Sequence, residues 1–143
     1  MERLLALKQV PLFAQLSLEQ LEAIQQISKE LEYLEHETIF KEGDRGGDLY
    51  LLIEGTVRIV KDLETPQERL LSTVAAVSYF GEMAALDDEP RSASVVAAEP
   101  SRMLRLEGDS LKELIQQMPE ISFEIMRVLT ARVRAAEKRL TDT

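Results

Sequence analysis

A glycine, a glutamate and an arginine lie close together in the part of this sequence that is best suited to chemistry. In the segment Phe80-Gly81-Glu82-Met83-Ala84, the glycine permits an unusual backbone turn, and the residues after it favour one helical turn. The N–H groups at the start of such a turn attract an anion, and the helix dipole strengthens this effect. Arg91 follows in Pro90-Arg91-Ser92-Ala93, at the head of a predicted strand. The spacing therefore indicates an anion site.

The chemistry of these groups narrows the kind of anion. A turn between Leu86 and Pro90 would bring the Arg91 guanidinium back over the N–H groups. Backbone donors and a bidentate cation together form a cradle of the size of a phosphate group. Glu82, at the edge of this cradle, supplies an acceptor that suits a hydroxyl. We therefore expect a ligand with one phosphate charge and an adjacent sugar hydroxyl.

Each of the three residues also has a purely structural explanation. A glutamate in the first turn of a helix often only complements the helix dipole, as Glu82 could do here. An arginine that precedes a strand is commonly a solvated surface residue, and Gly81 could be an ordinary turn glycine. The combination of the three, rather than any one of them, favours a binding site.

The composition excludes several other kinds of site. The 143 residues contain no cysteine and one histidine, His36, which excludes a cysteine nucleophile and thiolate or multi-histidine metal sites. The net charge of −9 disfavours nonspecific binding to nucleic acids or anionic membranes. No apolar run approaches the about 18 residues of a membrane span, and the N-terminus does not resemble a signal peptide. We expect a cytoplasmic protein that needs no metal and no cofactor.

The elements that must position the site divide into helical, β-rich and helical parts. Residues 1–29 predict helices, and Ser17 and Gln20 have the spacing of a capping box. Residues 30–107 contain short runs of β-forming residues separated by turns, which indicates a small antiparallel barrel or sandwich. Residues 108–141 predict two further helices. We therefore expect one domain over the whole chain.

The last predicted helix carries two apolar stripes. The first consists of Ile121, Ile125 and Val128. The second has heptad spacing and consists of Met126, Leu129, Val133, Ala136 and Leu140. Either one stripe packs on the domain and the other meets a partner, or both pack within the domain. The basic residues of this helix are interpreted as a solvated face because glutamates dilute them; they are Arg127, Arg132, Arg134, Lys138 and Arg139.

The chain as a whole resembles the cyclic-nucleotide-binding domain family, which includes the bacterial catabolite activator protein, protein kinase A regulatory subunits and cyclic-nucleotide-gated channels. The residues from Phe80 to Ala84 and from Pro90 to Ala93 are similar to the phosphate-binding cassette of that family, here residues 80–95. Val77 departs from the pattern, since the family usually has a glycine there.

The resemblance implies an α+β fold that is mainly β. A double-stranded β-helix jelly roll, which is a small antiparallel β-barrel, would be flanked by N-terminal helices and two C-terminal helices. The C-terminal helices would act as lid and hinge. The implied ligand-binding residues are Ile59, Leu71, Phe80, Gly81, Glu82, Met83, Ala84, Arg91, Ser92 and Ala93.

The family also implies a role for most of these residues. Arg91 and the backbone amides near Gly81 would hold the cyclic phosphate, and Glu82 would accept a hydrogen bond from the ribose 2′-hydroxyl. Ser92 and Ala93 would line the phosphate side, and members of the family use a hydroxyl at the position of Ser92 either on the phosphate or on the amino group of guanine.

The base would lie against Ile59 and Leu71, under the last helix near Ala135 and Ala136. These alanines lack the hydroxyl groups that some members of the family use on adenine. We expect cyclic AMP (cAMP) rather than cyclic GMP (cGMP).

We therefore predict a regulatory ligand sensor and not an enzyme. Cyclic nucleotide binding would reposition the last helix and act on an attached or partner effector, in a longer protein of which this chain is a fragment. Neither nucleic acid nor a membrane is expected as a direct partner, and a homodimer through the last helix follows only if the second stripe meets a partner. The main alternative is a non-binding scaffold of the same fold that acts in dimerisation. A cupin-like metalloenzyme would need more histidines than His36.

Overall fold

The N-terminal part of the protein is helical, as the sequence predicts. The computed structural model describes residues 2–141. Helix α1 spans Glu2–Gln9, a 3-10 helix spans Pro11–Phe13, and α2 spans Leu18–Ile27. The predicted capping box precedes α2, because the Ser17 side chain accepts from the Gln20 N–H and the Gln20 side chain accepts from the Ser17 N–H.

Two antiparallel sheets make up the middle of the chain. The strands are β1 (Ser28–Tyr33), β2 (Thr38–Phe40), β3 (Leu49–Glu54), β4 (Thr56–Lys61), β5 (Arg69–Ala75), β6 (Ser78–Phe80), β7 (Ser94–Ala97) and β8 (Ser101–Leu106). One sheet has the strand order β1-β8-β3-β6 and the other the order β2-β7-β4-β5. The mainly β fold with flanking helices is thereby confirmed.

Strand β3 shows how the core is organised. Leu49 and Leu51 pack with the helices in one hydrophobic cluster, whereas Tyr50 and Leu52 pack with residues of both sheets in a second cluster. Successive side chains of a strand point to opposite faces, so each face of β3 serves one cluster. This is why β3 is apolar from Leu49 to Ile53.

The remaining helices are α3 (Glu82–Asp87), α4 (Gly108–Gln117) and α5 (Glu120–Thr141). No side chain caps the start of α4, and Asp109 lies in its first turn. In α5, Ile121 and Ile125 are buried, whereas every residue from Thr130 to Thr141 is exposed. None of the helices within residues 2–141 has the length and apolar character that a membrane crossing requires.

Candidate functional site

A cavity of about 630 Å³ lies where β6, α3 and the segment before β7 meet α5. This volume is typical of small-molecule sites. Nine of the ten residues predicted for the ligand line it: Ile59, Phe80, Gly81, Glu82, Met83, Ala84, Arg91, Ser92 and Ala93. The structure therefore brings both halves of the predicted cassette to one cavity.

Leu71 is the predicted residue that does not line the cavity. In the pairing of β4 with β5, Ile59 lies opposite Ser72 and the next partners are Val60 and Leu70, so Leu71 is the extra residue of a bulge. About half of Leu71 is exposed, and the places beside Ile59 are taken by Ser72 and Val74. The structure therefore does not bring Leu71 to the cavity, because the bulge turns it away.

Arg91 is the buried cation of the site, with an exposed fraction of 6 %. Its Nη1 donates to the Gly81 carbonyl oxygen at 3.0 Å, and its Nη2 donates to the Asp48 carbonyl oxygen at 2.8 Å. Burial lowers the pKa of this guanidinium from its ordinary value, and the nearby Tyr50 and Asp48 oppose that effect. Arginine stays charged in proteins and carries five N–H donors, so two bonds to carbonyls do not exhaust it.

The main chain of Arg91 is held by the loop that follows β2. Its N–H donates to the Asp44 carbonyl at 2.9 Å, and its carbonyl accepts from the Gly43 N–H at 2.8 Å. Lys61 donates to the carbonyl of the next residue, Ser92, at 2.9 Å. Arg91 lies in this tethered loop, because β7 starts only at residue 94, and not at the head of the strand as the sequence suggests.

Gly81 allows the arginine to come this close. The residue has a φ of +82°, in the left-handed region that side chains other than that of glycine rarely adopt. A Cβ at this position would lie 2.8 Å from Arg91 Nη1 and 3.1 Å from the Asp48 carbonyl oxygen. The expected unusual turn is present, and it also leaves room for the guanidinium.

Glu82 begins α3 and is buried, with an exposed fraction of 9 %. Its Oε1 accepts a hydrogen bond of 2.6 Å from Nη1 of Arg132, which also donates to the Tyr79 hydroxyl at 3.1 Å. This hydrogen bond to Glu82 raises the pKa of Arg132. Helix α5 is thus joined to the cassette by an ion pair.

Arg132 is a residue that the sequence analysis missed. The interpretation of all basic residues of α5 as a solvated face is incomplete for Arg132, which is about half exposed but also lines the cavity together with Val128. Residues three, four and seven positions apart share one face of a helix. Arg132 stands four residues after Val128 and seven after Ile125, so it continues the stripe that packs on the domain.

Ala135 and Ala136 do not line the cavity that holds Arg91. They line a neighbouring groove of about 400 Å³, together with Met83 and Val133. Helix α5 therefore meets the main cavity about one turn earlier than predicted, at Val128 and Arg132. Among residues 2–141, no group of three or more histidine, aspartate or glutamate side chains is arranged to hold a metal ion.

Comparison with known proteins gives one consistent family. The model of the cyclic nucleotide-binding domain matches residues 30–118. The CRP-like cAMP-activated global transcriptional regulator of Mycobacterium tuberculosis is 32 % identical over 123 residues, which cover 84 % of this chain and 55 % of that protein. The cyclic AMP receptor protein of Thermus thermophilus is 34 % identical over 134 residues, which cover 94 % and 62 %. The chain thus spans between about half and two thirds of these relatives.

Solved structures agree with the sequence comparisons. The catabolite activator protein of Thermus thermophilus superposes with a TM-score of 0.80 at 34 % identity, over 92 % of this chain and 62 % of that chain. The regulatory domain of Toxoplasma gondii PKA, crystallised with cAMP, superposes with a TM-score of 0.72 at 26 % identity, over 79 % and 43 %.

Proposed function

Because this chain belongs to the cyclic nucleotide-binding domain family, we propose that its main cavity binds a cyclic nucleoside monophosphate and that α5 passes the signal to an effector. The observation that carries this proposal is that two buried charged residues, Arg91 and Glu82, line the same cavity. Buried charges are costly unless they have a partner, so a cavity lined by both suits a polar, charged ligand. The chain acts in this proposal as a regulatory module and not as an enzyme.

The cyclic phosphate would lie against Arg91 and the amides of the first turn of α3. The hydrogen bonds of Arg91 to carbonyl oxygens leave its positive charge without a carboxylate in direct contact, as far as residues 2–141 are concerned. A phosphate supplies the missing negative charge and accepts charge-assisted hydrogen bonds. Ser92 and Ala93 would line the same side of the ligand.

The ribose would lie at Glu82. A carboxylate has two oxygens and about four acceptor positions, and Arg132 occupies one oxygen. The other oxygen can accept from the ribose 2′-hydroxyl without loss of the ion pair. The ligand and α5 would therefore meet on the same carboxylate, which couples occupancy of the site to the position of the helix.

The base would lie on the wall formed by Ile59, Ser72, Val74 and Val128. This wall is mostly apolar, and an unpaired polar group on the base would be costly against it. Adenine has fewer such groups than guanine, so we propose that cAMP is preferred over cGMP. The effector would be a further domain of a longer protein or a separate partner.

Thermal unfolding with cAMP, cGMP and linear AMP at equal concentration tests the proposal. A ligand at 100 times its dissociation constant adds about 2.7 kcal/mol to the free energy of unfolding. We expect the largest rise in the melting temperature with cAMP, a smaller rise with cGMP and the smallest with linear AMP. If neither cyclic nucleotide shifts the transition, the alternative of a non-binding scaffold stands instead.

The second stripe of α5 supports a homodimer. Met126 and Val133 are half or more exposed, and they follow heptad spacing with Leu129. We expect the double variant Leu129→Glu, Val133→Glu to sediment as a monomer while the unaltered chain sediments as a dimer. The control variant Ala131→Glu, Arg134→Glu changes charge outside the stripe and should leave the dimer intact. A sedimentation coefficient that is the same for all three proteins would contradict a dimer through α5.

A further inference from the structure

Phe40 lies against the buried Arg91, although the sequence pattern assigns Phe40 no role. It is the last residue of β2, and it lines the main cavity. Its ring centroid is 4.0 Å from the guanidinium carbon of Arg91. This distance is well inside the range in which a cation is attracted to the face of an aromatic ring.

A bulge at the end of β2 brings Phe40 to this position. In the pairing of β2 with β7, Thr38 lies opposite Val96 and Phe40 lies opposite Val95, so the register shifts between the two pairs. Bulges of this kind re-aim side chains and are frequent next to functional sites. Here the shift places Phe40 beside Val95, which belongs to the hydrophobic cluster between the sheets.

Two further rings fix the position of Phe40. The ring centroids of Tyr50 and Phe80 lie 5.7 Å and 6.1 Å from that of Phe40, and 5.2 Å from each other. The three rings come from β2, β3 and β6, so two sheets hold them. We call these three residues the aromatic platform. Arg91 lies over the platform, at 5.9 Å from the Tyr50 ring as well.

We propose that Phe40 is a positioning residue that sets the orientation of the Arg91 guanidinium toward the cyclic phosphate, an inference that rests on the proposed function. The N–H groups of a guanidinium lie in its plane, so the carbonyls of Gly81 and Asp48 restrain it there, and its central carbon lies over the Phe40 ring. Together they restrain the group both within its plane and against tilting. An aromatic ring also stabilises a buried cation without neutralising it, as a carboxylate would, so the charge stays available to an anion.

A double-mutant cycle distinguishes this role from simple packing. Phe40→Leu keeps an apolar side chain but removes the aromatic face, and Phe40→Tyr keeps the face. We expect Phe40→Leu to weaken cAMP binding about 2- to 30-fold in calorimetry, the range of one cation–π contact, and Phe40→Tyr to bind almost as well as the unaltered chain. In an Arg91→Ala background, Phe40→Leu should have little further effect. An equal loss of affinity in both backgrounds would overturn the proposal.

NMR spectroscopy tests, without a ligand, whether the Phe40 ring lies over the Arg91 guanidinium. An aromatic ring at this distance shifts the NMR signals of the Arg91 side-chain protons upfield. We expect this shift in the unaltered chain, in Phe40→Tyr and in the control Phe123→Leu, which lies on an exposed part of α5. The shift should vanish in Phe40→Leu, and its absence from the unaltered chain would refute the placement of the ring. If the unaltered chain binds no cAMP, the proposed function fails, and this shift still decides whether Phe40 orients Arg91.

Discussion

Arg102, on β8, donates to the carboxylates of Glu30 and Glu54 at 2.8 and 2.7 Å, whereas Arg91 donates to two backbone carbonyls. Hydrogen bonds to Glu54 and Glu30 raise the pKa of Arg102. Burial lowers the pKa of Arg91. The pKa values of these two arginines are therefore shifted in opposite directions, because carboxylates surround Arg102 and Arg91 is buried.

The difference shows how this fold separates a structural cation from a candidate binding cation. Arg102 is about one third exposed, and its charge is already balanced within the protein. Arg91 is buried against neutral groups and the Phe40 ring, which stabilise the charge but do not cancel it. A buried charge that is satisfied by neutral acceptors retains its attraction for an incoming anion.

The largest effect is expected when the two arginines are removed in turn. Loss of one member of a buried, hydrogen-bonded charge pair costs about 2–5 kcal/mol, so Arg91→Ala should weaken cAMP binding about 30- to several-thousand-fold in calorimetry. Exposed ion pairs contribute only about 0–1 kcal/mol and salt screens them, so Arg102→Ala should change stability slightly and affinity hardly at all. If Arg91→Ala and Arg102→Ala bind cAMP with equal affinity, Arg91 has no special role in binding.

A smaller effect is expected from the glycine that admits Arg91. Gly81→Ala puts a Cβ 2.8 Å from Arg91 Nη1, whereas a Cβ at Gly46, which also has a positive φ, of +128°, meets nothing within 4 Å. Both variants should lose about 1–2 kcal/mol of stability in denaturant unfolding, the cost of a left-handed alanine.

Only Gly81→Ala should also weaken cAMP binding, by about tenfold, which corresponds to one charge-assisted hydrogen bond. Gly46→Ala is the control, since it also places an alanine at a positive φ, but its Cβ makes no contact and the residue does not hold the main chain of Arg91. A loss of affinity of the same size in both variants would mean that backbone strain, and not the displacement of Arg91, is responsible.

The smallest effect is expected at Glu82, where the carboxylate is already shared with Arg132. Glu82→Gln replaces a charged acceptor by a neutral one, which weakens a hydrogen bond by about 1 kcal/mol. The preference for cAMP over its 2′-deoxy analogue should therefore fall about fivefold in competition binding. Asp87→Asn, which alters another carboxylate of the cavity wall, should leave that preference unchanged. If Glu82→Gln weakens both ligands equally, Glu82 has no role at the ribose.

The parts of the site that depend on local chemistry could be predicted from the sequence. A glycine, a helical turn and a returning arginine form a short-range pattern, and the structure brings Gly81, Glu82 and Arg91 to one cavity. The capping box at Ser17 is equally local, since both of its hydrogen bonds lie within four residues.

The parts that depend on long-range packing could not be predicted. The bulge that turns Leu71 away and the one that brings Phe40 to Arg91 arise from the pairing of β5 and β2 with other strands, which single-strand patterns do not contain. The role of Arg132 depends on where α5 lies against the cassette. The spacing of Arg132 from Ile125 and Val128 indicates that it lies on the same face of α5, but its positive charge favoured the interpretation as a solvated residue.

The ion pair between Glu82 and Arg132 has a mechanical consequence. Arg132 is near the point where α5 leaves the domain, and the helix continues for about 13 Å from there to Thr141 at 1.5 Å per residue. A swing of about 10° around this point displaces the far end of the helix by about 2 Å. Under the proposed function, the ion pair would transfer a small shift of Glu82 to α5, and the resulting displacement would be largest at the far end of the helix.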